Sequence, residues 1–175
     1  VRSVFFAPED LALVKGDPAA RRRFLDDLLV QRQPRWSAVR ADYERILKQR
    51  NALLKSGAPV LRRGSRQRVV DQEARASALH TLDVWDGNLA GLGAQLVYAR
   101  LRLLRDLRGY LATAYDTVSD GAGEARATYR SSLEEGMAQA LAEGAVPEIP
   151  ELTASFLASL AAVRDSEIER GVTLV

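Results

Sequence analysis

Apolar residues along this chain of 175 recur mostly at three- and four-residue spacing, the period of helices that bury one stripe. The longest run begins at about Ala74 or Thr81 and ends at Thr117, with no proline inside it. In it Leu82, Trp85, Leu89, Leu92, Leu96, Ala99, Leu103 and Tyr110 alternate as coiled-coil a and d positions do, broken only at Asp106. A shorter run over 34–56 repeats the pattern with Trp36, Val39, Tyr43, Ile46 and Leu53, interrupted by Arg50 and widened by Leu47 and Leu54. The two runs predict an antiparallel coiled-coil-like pair, about 34–56 with 81–117. Gly87, Gly91 and Gly93 weaken the long helix intrinsically, which points to close packing or a bend there.

The remaining elements are set by breakers. Val1–Phe6 is β-branched and aromatic and reads as a strand. Pro8 opens a short helix ended by Gly16, and Asp17 caps a second that starts at Pro18 and runs to about Arg32. Within it Arg22/Asp26 and Arg23/Asp27 stand four apart and can pair on a solvated face. Residues 57–68 read as a mobile basic loop without an apolar pattern. After a break at Ser119–Gly123, 125–131 alternates weakly and fits a short strand or hairpin arm. Ser132–Glu143 and Glu151–Ile168 read as helices, and the closing Gly171–Val175 as a strand. The fold class expected is mainly α, one helical domain over 1–175 with short strands at its termini.

Composition adds little, but charge distribution adds much. Residues 35–68 carry ten Lys/Arg against Asp42 and Glu44, a net of +8, whereas 119–175 carry four Arg against ten Asp/Glu, a net of −6. One half suits phosphate and the other does not, unless the halves neutralise each other across an internal interface. With no cysteine and one histidine, His80, neither a disulfide nor a thiolate or histidine-rich metal site is expected. No apolar run is long enough for a membrane helix, and a cytoplasmic location is expected. The chain opens without Met and reads as a piece of something longer.

Catalytic signals are missing. A G-x-x-x-x-G-K-[ST] phosphate loop, a hydrophobic run ending in Asp-Glu and an ABC signature are all absent, and Gly91-x-Gly93 sits inside a helical stripe where packing explains it. Paired carboxylates lie on charged helical faces. The chain alone is expected to catalyse nothing.

Three stretches carry a resemblance. They are Pro8-Glu9-Asp10-Leu11 with Lys15-Gly16-x-Pro18-x-x-Arg21-Arg22-x-Phe24-Leu25-Asp26, then Leu47-Lys48-Gln49-Arg50-Asn51-x-Leu53-Leu54-Lys55, then Glu169–Val175. In that order they resemble the helical arm (lobe II) of the RecF family, bacterial recombinational-repair ATPases built on an ABC/SMC-type head. The resemblance implies an arm inserted in that head, whose Walker A, Walker B and signature elements lie outside the matched region. It implies ATP and Mg as cofactors of the full-length family, itself a weak DNA-dependent ATPase, and none held by this chain. It also implies an ATP-dependent homodimer, double-stranded or gapped DNA between the arms, and work with RecR and RecO in loading RecA during replication, recombination and SOS repair.

Carried onto this sequence, the candidate DNA contacts are Lys15, Arg21, Arg22, Arg23, Lys48, Arg50 and Lys55. Arg62 and Arg63 join them, with Arg66 and Arg68, as a basic patch resting on charge alone. Such long or forked cations position a duplex without reading it. Three consecutive arginines on a helix point roughly 100° apart, so Arg21, Arg22 and Arg23 cannot all face one ligand. Gln49-Arg50-Asn51 equally suits a buried polar network bracing the arm. Glu9 stands where the family's Q-loop glutamine would sit, either as a nucleotide or metal sensor or as a helix-start charge. The alternative to a repair-protein arm is a stand-alone helical module for protein interaction or self-association.

Overall fold

A computed structural model describes residue 13 and residues 16–61, 69–119 and 123–175. Among the described residues six helices have full bounds, in order α1 (Pro18–Arg32), α2 (Arg35–Ser56), α3 (Ala58–Leu61), α4 (Val69–Ser119), α5 (Glu135–Glu143) and α6 (Ile149–Arg170). Local chemistry accounts for several boundaries. The Asp17 carboxylate accepts from the Ala19 N–H at 2.6 Å, and Pro18 follows it at the first helical position, where its missing N–H costs nothing. Left-handed Gly144 ends α5 and left-handed Gly171 ends α6, conformations that glycine adopts without a Cβ penalty.

The axis of the molecule is α4. At 51 residues it is about 75 Å long, and every apolar cluster draws on it. The largest cluster joins Leu89, Ala94, Val97 and Leu101 of α4 to Met137 and Leu141 of α5 and to Leu152, Phe156 and Leu160 of α6. A second gathers Leu54, Leu61, Leu82 and Ile168, and a third Leu29, Ala99 and Leu103 with Trp36 against them. Leu54 meets Leu82 while Trp36 meets Ala99 and Leu103, so α2 runs antiparallel to α4 as the periodicity predicts. In contrast α1 runs parallel to it, since Asp26 pairs with Arg100 and Arg32 with Asp106. The long helix has a second partner of equal weight in α6, and its register starts at Val69, earlier than expected.

Several expectations are corrected. No strand occurs among the described residues. The alternation over 125–131 is genuine, because residues there are alternately half-buried and exposed, but the segment lies irregularly against helices, with Tyr129 packed on the main cluster. In the closing segment the Thr173 N–H donates to Asn51 Oδ1 and the Leu174 N–H to Glu167 Oε1, both at short range; side chains take the place of a ladder. The expected strand Val1–Phe6 lies outside the described residues, as does the helix after Pro8 apart from Leu13, which is helical. The loop expected over 57–68 contains α3, and its Leu61 is buried. The apolar stripe of α4 stops short of Tyr110, which is 76% exposed. Asp26 and Asp27 pair across the bundle with Arg100 and Arg40 and not with the arginines four residues before them.

The three glycines of α4 divide. A Cβ on Gly93 would lie 2.7 and 2.9 Å from ring carbons of the buried Phe156, so this glycine is where α6 closes on α4. A Cβ on Gly87 or Gly91 would meet nothing. Gly93→Ala is expected to destabilise the fold by about 1–3 kcal/mol through overpacking. Gly87→Ala is expected to stabilise it by about 0.5–1 kcal/mol through backbone entropy. Urea unfolding of the two variants checks the opposite signs, and equal shifts would sink the assignment of Gly93 to close packing.

Candidate nucleic-acid interface

Two of the candidate cations are engaged by the chain itself, one buried and one at the surface. Arg50, the residue that interrupts the apolar stripe of α2, is 0% exposed. Its Nε donates to Asp86 of α4 at 2.6 Å, its second terminal nitrogen to Glu167 of α6 at 2.6 Å, and its first to the Thr173 hydroxyl at 2.8 Å. Arg164 donates to the second oxygen of Asp86 and to Asp83, both at 2.7 Å, while the Thr173 hydroxyl donates onward to Asn51. The buried reading of Gln49-Arg50-Asn51 therefore describes Arg50 and Asn51, and Arg50 is withdrawn as a phosphate contact. Each N–H of a guanidinium in this position needs an acceptor, and the network supplies charged ones.

Arg21 is the second. It donates to the carbonyls of Gly16 and Leu13, at 3.0 and 3.4 Å, and so ties the start of α1 to the turn before it. Another inward pair was not foreseen: Arg100 clasps Asp26 through two bonds of 2.7 and 2.8 Å and reaches Tyr129 at 3.4 Å. Burial works against its charge, but the bonds to Asp26 and Tyr129 outweigh it and raise the arginine further above its ordinary value. The acid within the stripe Leu82–Asp86–Leu89 was the available signal for the Arg50 network, as an ionisable group on a buried face demands a partner.

Four candidates stay outside. Arg22 and Arg23 are exposed on the first turns of α1, and Lys48 and Lys55 are exposed on α2. None of them makes an ion pair among the described residues. Lys48 and Lys55 lie seven positions apart, about 10 Å along one helix face, with Asn51 and Ala52 between them. Arg22 sits close enough to the α2 side for its charge to act on Tyr43. Four further arginines are paired: Arg32 with Asp106, Arg40 with Asp27 and Glu44, Arg45 with Asp42, and Arg126 with Glu124. Lys15, Glu9, Arg62, Arg63, Arg66 and Arg68 lie outside the described residues. His80 is exposed about three turns into α4, and no group of three or more His, Cys, Asp or Glu suited to a metal ion occurs among the described residues. Among them, too, no helix is long and apolar enough to cross a membrane.

No family model matches the chain. Relatives from Beutenbergia cavernae and Kineococcus radiotolerans, both described as "DNA replication and repair protein RecF", are each 52% identical to it, over 181 and 178 residues. The chain belongs to the RecF family and spans part of its length. Those alignments take in 99% and 100% of the chain but only 44% and 42% of the relatives. A solved RecF, described as "Structure of the recombination mediator protein RecF-ATPrS in RecFOR pathway", matches 97% of the chain and 39% of its own, with a TM-score of 0.76 at 20% identity, a likeness of fold. Two of the RecF-like stretches, Leu47–Lys55 and Glu169–Val175, meet in the Arg50 network, through the bonds of Thr173 to Arg50 and Asn51. The third contributes Asp26 to the second buried pair.

Arg50→Met, close in volume but unable to pair, leaves Asp86 and Glu167 as buried, under-compensated carboxylates. A loss of about 3–5 kcal/mol in urea unfolding is expected; a loss below about 1 kcal/mol would mean the network braces nothing. Tyr43 offers a test of the same region by pH. Burial raises its phenol above the ordinary 10.0, against the opposing charge of Arg100. The folded state thus holds this proton to higher pH than the unfolded chain does. Its contribution is complete below the ordinary value and is lost as pH rises through the raised one. Tyr43→Phe removes the titration, so the melting temperature of the variant should fall less steeply above pH 10 than that of the parent. Parallel alkaline curves would refute the burial assigned to Tyr43.

Proposed function

We propose that this chain is the arm of a RecF-type repair protein, one helical unit that lies against duplex DNA by phosphate contact without reading sequence and carries no catalysis of its own. In this reading the arm supports gap repair and the loading of RecA, acting with RecR and RecO, while nucleotide and Mg belong to the remainder of a full-length protein. The observation that supports it is the division of the basic residues. The fold consumes Arg21, Arg50 and Arg100, whereas Arg22, Arg23, Lys48 and Lys55 stay exposed with no ion-pair partner among the described residues. A cation kept on the surface without a counter-ion is held by the fold for nothing internal, and phosphate is its natural acceptor. The family membership points the same way, towards DNA replication and repair.

Fluorescence anisotropy with a labelled duplex at two salt concentrations tests the reading. The parent should bind weakly and lose affinity steeply with salt. Arg22→Glu/Arg23→Glu and Lys48→Glu/Lys55→Glu should each weaken binding, lower the salt slope by about two, and leave the melting temperature unchanged. Absence of binding even at low salt, or variants indistinguishable from the parent, would favour the helical protein-interaction module instead.

A further inference from the structure

A shallow groove of about 320 Å³ opens where the end of α1, the start of α2 and the middle of α4 converge. Its floor is apolar: Leu29 and Leu103 are buried there, and Trp36 and Tyr98 are half-buried at its sides. Its rim is cationic. Arg35 and Arg102 are exposed, with guanidinium carbons 5.0 Å from the ring centroid of Trp36 and 5.7 Å from that of Tyr98. The third arginine, Arg32, is held by Asp106 at 3.1 Å, whereas Arg35 and Arg102 have no acidic partner among the described residues.

We infer that this groove docks an acidic segment of a partner protein, an apolar side chain seated on Leu29 and Leu103 with carboxylates on either side meeting Arg35 and Arg102. Charge complementarity carries the choice of occupant. A guanidinium resting on a ring keeps its hydrogen-bonding edge available, and that edge matches a carboxylate with two parallel bonds. The ring beneath restricts the side chain in advance, so less rotamer freedom is lost on binding. An apolar floor with a charged rim is the anatomy of a protein-binding patch. A duplex presents mainly phosphate and polar base edges, with only thymine methyls as apolar groups, and fills such a floor poorly. A single strand would stack bases on open ring faces, and one face of each ring already carries an arginine. The inference is independent of the duplex reading, since its cations are different residues on a different part of the surface.

A phage-displayed library of short random peptides, selected against the immobilised 175-residue chain, tests it. Enriched peptides should carry at least two Asp or Glu around an apolar residue. Their binding should fall at least about tenfold in Arg35→Glu/Arg102→Glu. It should hold in Arg45→Gln, whose side chain is exposed and paired with Asp42 elsewhere on α2. Both arginines of the double variant are exposed, so its circular-dichroism melt should match the parent. Enrichment without acidic bias, or unchanged binding by the double variant, overturns the inference. Two further outcomes would replace the occupant: labelled oligothymidylate that competes with the peptides and is lost in the double variant, or self-association in sedimentation that the double variant abolishes.

Discussion

A charged guanidinium sealed from water is tolerable only if its counter-charges are sealed in with it, and this condition at Arg50 governs the rest of the structure. The side chain comes from α2, Asp86 from α4, Glu167 from α6 and Thr173 from the closing segment. None of these can move away without stranding a charge. Apolar packing supplies most of the driving force for bringing the helices together, yet it is non-directional and tolerates sliding. The ion network does not tolerate it: a displacement of one helix by a turn would leave carboxylates facing leucines. We read the network as the device that sets the mutual register of α2, α4 and α6.

A second consequence is a sorting of the basic residues. On sequence alone an arginine in a helical stripe and an arginine on a helical surface look alike, and both invite a nucleic-acid reading. Their partners within the fold separate them. Those that anchor the joint at Gly16, the Asp26 clasp and the central network belong to the architecture, and the remaining surface cations are available to external anions. The charge asymmetry between the halves is partly settled inside the molecule, where Arg50 of the basic half meets Glu167 of the acidic half.

The helices were legible in the sequence because their signals are local. Asp17 with Pro18, the stripe of α2, and the uninterrupted run that became α4 each declare themselves within a few turns. The antiparallel pairing of α2 with α4 followed from their matched apolar periods. What was not legible depends on distant neighbours. Alternation over 125–131 reports half-burial, and half-burial on helices produces the same pattern as half-burial in a sheet. Asp26 found its partner 74 positions away although arginines stood close to it in sequence. Of the candidate interface, the residue types were readable but not their division, because whether a cation faces water is decided by tertiary packing. The groove at Trp36 and Tyr98 was invisible for the same reason: its lining comes from elements that share no sequence motif.

The length of α4 has a bearing on how the molecule comes apart. Each of the three apolar clusters contains residues of this one helix, and the clusters abut one another along it between Leu82 and Leu103. Unwinding that interval removes a wall from all three at once, so the bundle has no half that can melt by itself and its core amides are released only in global opening. Beyond Leu107 the helix has exposed residues on every side up to Val118, and there the opposite regime holds. One continuous helix thus joins an all-or-none centre to a tip with little apolar burial.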